Sequence, residues 1–534
     1  MLAVNLFTGK LLHISGTEFY FAKGNGMKKL FAATILSMLL ALALQTSAYA
    51  AIGDMGFFGG TSQGRKLPKT TEEILAKDKN KNKKDTFIYK EYVVVGGVPR
   101  EFEGSITIDS KTNKIKDDAV TGTYDVTFTV APSATVQSDV LVARTIKFNV
   151  NYRKEGSQKI LDYEADMKSW KESIVTPEGE FVLDASRSNF NISILLDETP
   201  GVDYYKGTIS MNAVYVGENG DTTVQSTGSI YGYENAWSST ETHRIDTWVY
   251  GPDYQMQYQL RPSVSVNKTL QYSENEPTAI SFKGNYMEVI SNKSSLSYDI
   301  FVKPANMFFV EDKGATNIQS YNNFEQLTAP DTAFLKGHFA EADISKLFSM
   351  GVLDGNTRHF QPAQAMTRGE LVEALAKAVK LPVEEATTSK SKKKTIKIVF
   401  PDVLPDREEY RWIMAAHNAG LAIGRDNGNF YIDSPITRQE AIVILVRTLG
   451  LENLGLDPTP MTSFVDDKQI ADWAKKEIYA AQRLGIIFPD ADGKLNPLTN
   501  ISKAEGAALV NRLINYMRHD LVTDYTEHIV NYVY

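Results

Sequence analysis

Between residues 86 and 310, apolar side chains recur at every second position. Tyr124, Val126, Phe128 and Val130 alternate with Asp125, Thr127 and Thr129, and Ile146, Phe148, Val150 and Tyr152 alternate with Lys147, Asn149 and Asn151. The same period returns at Ile209, Met211, Ala213 and Tyr215, and at Leu296, Tyr298, Ile300 and Val302. A period of two sends successive side chains to opposite faces, so each run predicts a half-buried strand. The abundance of Thr, Tyr, Val and Ile agrees. Turn signals such as Asn219-Gly220 and Pro177-Glu178-Gly179 separate the runs. With about a dozen strands and no helix-length interruption, the expectation is a mainly antiparallel β domain over 86–330. A sandwich or one long, extended twisted sheet would close it.

Near residue 335 the period becomes helical. Three units follow, at 335–382, 400–452 and 464–518, each with a helix, a glycine turn, a short extended piece and a second helix. The turns begin at Gly351, Gly420 and Gly485, and a Ser or Thr opens the second helix 16 or 17 residues later. Such regularity predicts an internal repeat, and repeats bury their apolar faces by stacking. Units two and three also open alike, with Phe400-Pro401-Asp402-Val403 and Phe464-Val465-Asp466. A Lys-rich insertion at 383–399, from Lys390 to Lys397, reads as a solvated loop. In the tail at 519–534, Ile529 to Tyr534 reads as a short packed strand.

The second helices begin with Met366-Thr367-Arg368-Gly369-Glu370, Ile436-Thr437-Arg438-Gln439-Glu440 and Ile501-Ser502-Lys503-Ala504-Glu505. Thr367, Thr437 and Ser502 are predicted N-caps, with Glu370, Glu440 and Glu505 as their capping-box partners. Met366, Ile436 and Ile501 stand where a hydrophobic staple belongs. All of this is structural. The cations are different: Arg368, Arg438 and Lys503 fall at the first helical position, where the dipole disfavours positive charge by about 0.3–1 kcal/mol. Two causes fit a choice made three times. One is an anionic ligand, since free N–H groups and a guanidinium at a helix start attract anions. The other is a salt bridge to a neighbouring repeat.

At these residues the chain resembles the S-layer homology (SLH) family, over about 335–518. The resemblance implies a pseudo-threefold α-helical bundle of three repeats that binds secondary cell-wall polysaccharide, often pyruvylated and so anionic, in grooves between repeats. It carries the groove arginine to Arg368 and Arg438, with Lys503 in the third box, and the box glutamate to Glu370, Glu440 and Glu505. The first-helix tryptophan is matched by Trp473. Phe339 takes that position in unit one and Glu408 in unit two, with Trp412 four residues later. Lys503 keeps the charge but not the bidentate fork, so the grooves lined by Arg368 and Arg438 are favoured.

Residues 27–50 read as a secretory signal: Met27-Lys28-Lys29, an apolar run from Leu30 to Leu44, and a small-residue end predicting cleavage after Ala50. Residues 1–26 read as an upstream extension, and 51–85 as a linker in which Asp78, Asn80 and Asn82 imitate a calcium loop without its glycine or its closing glutamate. No other stretch reads as a membrane span. Removing residues 1–50 leaves 53 Lys and Arg against 64 Asp and Glu, which argues against nucleic acid as partner. No cysteine is present, so thiolate sites and disulfides are excluded. No catalytic, metal or cofactor motif stands out. Glu101 and Glu103 share a strand face and read as solvated, while Trp170, Trp237 and Trp248 read as packing residues. The leading expectation is therefore an exported, wall-anchored, non-enzymatic surface protein, S-layer-like or adhesive, whose copies could self-assemble. The alternatives are a wall-anchored polysaccharide-active enzyme or carbohydrate-binding protein and, more remotely, an outer-membrane barrel.

Overall fold

A computed structural model describes residues 52–64, 83–111, 120–273 except 137, 285–304, 310–327 except 320–321, and 330–525 apart from 355–356, 384–398, 426 and 457. The signal segment, the calcium-loop imitation, the Lys-rich insertion and the C-terminal strand expectation lie outside the described residues. No helix among the described residues is long and apolar enough to cross a membrane.

The β region is one continuous sheet of sixteen strands, the longer of the two closures expected, and the pairings within it are antiparallel. It follows chain order except at the hairpin of Lys171–Thr176 and Gly179–Leu183, whose strands pair with Leu141–Glu155 and Val202–Gly217, and at Asn323–Gln326, which pairs with Asn285–Pro304. The sheet rolls around its apolar face. The Phe57 ring meets Phe128, Phe148, Tyr163 and His243, from four different strands, at centroid distances of 5.5 to 6.3 Å. Near the roll's seam, Tyr92 packs on Tyr298 at 4.3 Å and Thr61 Oγ1 donates to the Ser263 carbonyl at 3.2 Å. The alternating residues supply this core: Ile146, Phe148 and Val150 are fully buried. The outer face carries ion pairs such as Lys147–Asp125 and Arg261–Asp299.

Within the stretch expected as a linker at 51–85, the described residues pack with the β domain. Residues 52–64 thread the inside of the roll, with Asp54, Met55 and Phe57 buried, and Lys83 already begins a strand. The glycines are needed because the passage is tight. A Cβ on Gly60 would stand 2.2 Å from the Tyr89 hydroxyl and 2.6 Å from the Lys90 carbonyl. A buried ion cluster lies in the same interior. Arg144 bridges Glu91 at 2.8 Å and Glu172 at 2.6 Å, and Tyr89 and Trp170 donate to the same two carboxylates.

The C-terminal third has six main helices: α1 (Glu341–Ser349), α2 (Arg368–Ala378), α3 (Tyr410–Asn418), α4 (Arg438–Leu449), α5 (Asp472–Arg483) and α6 (Lys503–Asn515). Each first helix packs on the second helix of the preceding repeat, and α1 closes the ring on α6. These contacts are made in three chemistries. Asn511 donates to Asp343 at 2.6 Å, Arg447 pairs with Glu477 at 2.6 Å, and Lys377 Nζ lies 5.2 Å from the Trp412 ring centroid. The chain after α6 continues helically to Asp524.

Sheet and bundle belong to one compact unit, Ala48–Tyr534. The far ends of the second helices meet two hairpin tips of the sheet. Trp237 Nε1 donates to the Ala378 carbonyl at 2.8 Å, Gly201 N–H to Thr448 at 2.7 Å, and Ser238 Oγ to Met517 at 2.6 Å. Trp237 is therefore a junction residue, Trp170 a core residue, and Trp248 is partly exposed on its own strand. Glu101 and Glu103 share Lys90 at 2.8 and 3.1 Å.

Candidate functional site

The three boxes meet around the pseudo-threefold axis. Met366 N–H donates to the Ile501 carbonyl at 2.9 Å, Ile501 N–H to Ile436 at 3.0 Å, and Ile436 N–H to Met366 at 3.1 Å. The staple residues thus form a closed three-membered backbone ring, and their side chains are buried beneath it. Each capping box forms in full: the Thr or Ser hydroxyl accepts from the Glu amide, and the Glu carboxylate accepts from the cap amide at 2.7–3.0 Å.

The free N–H groups expected at the helix starts are not free. Arg368 and Gly369 amides donate to the Ser434 and Ile432 carbonyls, Arg438 and Gln439 to Thr499 and Pro497, and Lys503 and Ala504 to Gln364 and Pro362. With the cap hydroxyl taking the third amide, the first turn of each helix is satisfied by protein, so backbone amides cannot supply an anion site here.

The cations make the second of the two contacts foreseen, a salt bridge to the next repeat. Arg368 reaches Glu440 at 3.9 Å, Arg438 pairs with Glu505, and Lys503 pairs with Glu370 at 2.6 Å. This cyclic exchange is a sufficient cause for a charge the helix dipole disfavours. The six side chains remain partly accessible, Arg368 least and Glu505 most.

The three contacts between boxes differ in charge and packing. Between repeats one and two, Arg368 shares Glu440 with Arg425, which binds it at 2.5 Å. Two guanidiniums thus face one carboxylate. Burial, only partly offset by Glu440, pushes the Arg368 guanidinium below its ordinary range, and Arg425 adds to the depression. Arg368 also packs 5.0 Å from the Phe430 ring and Arg425 5.1 Å from Tyr431, with Ile423 exposed nearby, its carbonyl accepting from Arg368 Nη2 at 3.1 Å. Asp402 fixes this wall: its carboxylate accepts from Phe430 at 2.8 Å and Ile432 at 3.3 Å, and also from Tyr431, whose φ is 62°. Asp466 does the same for Leu495 and Asn496 in repeat three. The Phe-x-Asp openings of the sequence are loop clamps.

Between repeats two and three, Arg438 also donates to the Leu495 carbonyl at 2.8 Å, so it is more fully engaged than Arg368. Trp473, 54% exposed, sits in the first turn of α5, where the Ala471 amide donates to the Gln439 side chain at 3.1 Å. That bond brings Trp473 to the Arg438 box. Phe339 is 71% exposed, Glu408 is exposed, and Trp412 faces α2 instead. Arg425 and Tyr431 escaped the sequence reading because repeat three has Asp490 and Asn496 at the same offsets from the cap.

The β region has a cleft at the Pro177-Glu178 turn and the Glu218-Asn219 and Pro252-Asp253 loops, lined among others by Glu178, Glu180, Glu218, Asp253, Phe181 and Tyr254. Glu178 is held by Arg100, whose Nε donates to both its oxygens at 3.0 and 3.2 Å. These bonds keep its carboxyl below the ordinary range, the opposite of what a general acid requires. No metal-binding group of three or more His, Asp or Glu occurs among the described residues.

Comparison with known proteins places three S-layer homology domains in this chain, at residues 335–372, 400–442 and 463–507. Similar proteins include an amylopullulanase of Thermoanaerobacterium thermosulfurigenes, 29% identical over 209 residues, 38% of this chain and 10% of that protein. An exoglucanase, XynX, of Acetivibrio thermocellus is 30% identical over 187 residues, 34% of this chain and 16% of that protein. The surface-layer 125 kDa protein of Lysinibacillus sphaericus is 28% identical over 180 residues, 33% of this chain and 14% of that protein. The matches thus span less than a fifth of each of these three relatives.

Proposed function

Since the C-terminal third carries three S-layer homology domains, we propose that this is an exported cell-surface protein held non-covalently to cell-wall polysaccharide by its bundle. The β domain then serves as an S-layer-like structural or adhesive part. S-layer homology domains bind wall polysaccharide as a class, and S-layer proteins are among the relatives. The observation that carries the reading is polarity: the boxes and grooves lie at one end of the second helices, and the sheet is fixed to the other. Bound at the grooves, the bundle would hold the β domain away from the wall.

Within this reading the groove of repeats one and two takes an anionic, pyruvylated unit. Arg368 and Arg425 face it against the single Glu440, with Tyr431 at its side. The groove of repeats two and three uses Arg438 and Trp473, and that of repeats three and one uses Lys503. Glu370, Glu440 and Glu505 hold the cations in place. Self-assembly of copies through the β domain belongs to the same proposal.

Co-sedimentation with purified cell-wall sacculi tests it. Arg425→Ala removes a groove cation outside the ring of boxes, and Arg368→Ala plus Arg438→Ala removes both groove arginines. Binding should fall with the first and be lost with the pair, while circular dichroism confirms a folded bundle. Undiminished binding by the folded pair, or no binding by the parent protein, would sink the anchoring claim. Three relatives bear glycosidase names, but the β cleft offers a pinned, acidified Glu178, so the non-enzymatic reading is preferred. Release of reducing sugar from a glycan panel, abolished by Glu218→Gln, would reverse that preference.

A further inference from the structure

Trp237 lies at the junction of sheet and bundle, and three cations converge on its ring. Arg518 Cζ is 4.3 Å from the centroid, Lys380 Nζ 5.2 Å and Lys268 Nζ 5.9 Å. They come from different places: the strand Tyr254–Ser273, the end of α2 and the π turn after α6. Lys268 and Arg518 are only 3% and 4% exposed. Among the described residues no carboxylate lies within 4.0 Å of any of the three, and Arg518 Nε has no hydrogen-bond partner. Glu288 acts at longer range on Lys268 and Arg518, and Glu325 on Lys268 alone. Buried cations such as Lys268 and Arg518, with no close counter-ion among the described residues, are costly unless something neutralises them.

Helix ends account for part of this, since carbonyls at a helix C-terminus favour cations. They do not account for Lys380. It adopts φ 54°, a left-handed conformation, thirteen residues after its N-cap, and the matching position of repeat two is Gly450 with φ 67°. Glycine fills such a position without steric penalty and lysine does not. The strained choice puts an ammonium beside Lys268, and because Lys380 is exposed it leaves a route from solvent.

We propose that this junction binds a small oxyanion of the size and charge of sulfate or phosphate, held between Lys268, Lys380 and Arg518. Charge-assisted hydrogen bonds from two ammoniums and a guanidinium suit such an ion. The ion ties the strand to the ends of two bundle helices and so stiffens the link between sheet and anchor. In its absence, burial and the neighbouring Lys380 push the Lys268 ammonium down to about 7. The proposal does not depend on wall anchoring.

Isothermal titration of the full chain with sodium sulfate tests it, with ionic strength held constant by sodium chloride. Saturable one-site binding is expected. It should weaken at least about tenfold in Lys380→Gly, which takes over the residue repeat two uses and should fold, and vanish in Lys268→Met. Sulfate keeps its charge while Lys268 loses its proton, so affinity should fall between about pH 6 and about pH 8.5. No saturable binding, or equal binding by Lys380→Gly, overturns the proposal. If Lys268→Met does not fold, Lys380→Gly and the pH series still decide.

Discussion

The rolled sheet and the three-repeat bundle both bury apolar faces, yet they place their charges oppositely. The sheet encloses a complete ion cluster, Glu91–Arg144–Glu172, with both carboxylates and the guanidinium almost fully buried. The bundle keeps the ion pairs of its three boxes at the rim, as a cyclic exchange around an apolar centre. Buried pairs are expensive to break and half-exposed ones cheap. Charge therefore acts in the sheet as a lock on the fold, whereas at the boxes of the bundle it stays partly accessible to solvent.

The sharpest test of that contrast is Arg144→Met, which leaves Glu91 and Glu172 facing each other in the core. It should cost about 3–5 kcal/mol of stability. Denaturant unfolding followed by the buried tryptophans would register it, and a loss below about 1 kcal/mol would erase the distinction between the two regions. Second in size is Gly60→Ala in the threaded segment. The added methyl meets the Tyr89 hydroxyl and the Lys90 carbonyl, and overpacking of this kind costs about 1–3 kcal/mol. A neutral result would mean that residues 52–64 are not held inside the roll in solution.

How legible each region was follows from the range of its contacts. The capping boxes span three residues, so Thr367–Glu370, Thr437–Glu440 and Ser502–Glu505 could be read as helix starts and formed as expected. The strands came from local alternation for the same reason. Residues 52–64 read as a linker because glycines in sequence signal a loop, and nothing local says that Gly59 must pass Leu260 or that Gly53 donates to Glu241. The role of Trp237 was hidden likewise, its partner Ala378 lying 141 residues away. At the boxes, sequence presented the cations as unexplained and left two causes open. Whether the first-turn amides were free depended on Ile432, Pro497 and Pro362, carbonyls of other segments.

Within the bundle, the cap should matter more than the charge. Thr437→Ala removes the hydroxyl that accepts the Glu440 amide at 3.4 Å and should cost about 1 kcal/mol, measured as a lower thermal midpoint. A cost near zero would mean that the backbone ring alone sets the helix start.

The smallest effect distinguishes ion pairing from capping at the same residue. Glu440→Gln keeps an oxygen to accept the Thr437 amide but loses the charge facing Arg425 and Arg368. Partial exposure limits the cost at neutral pH to about 1 kcal/mol or less. Burial raises the Glu440 carboxyl, but the Thr437 amide and hydroxyl together with Arg425 outweigh it and leave the group below its ordinary range. A carboxyl lowered in the folded state binds fewer protons there than in the unfolded chain. Its contribution is therefore complete above the unfolded value of about 4.3 and disappears as pH falls through the lower folded value. The parent protein and Glu440→Gln should differ most above about pH 5 and converge in stronger acid. Denaturant midpoints across that range decide the matter. A difference that persists undiminished at about pH 2 would assign the loss to the cap geometry rather than to the ring of charges.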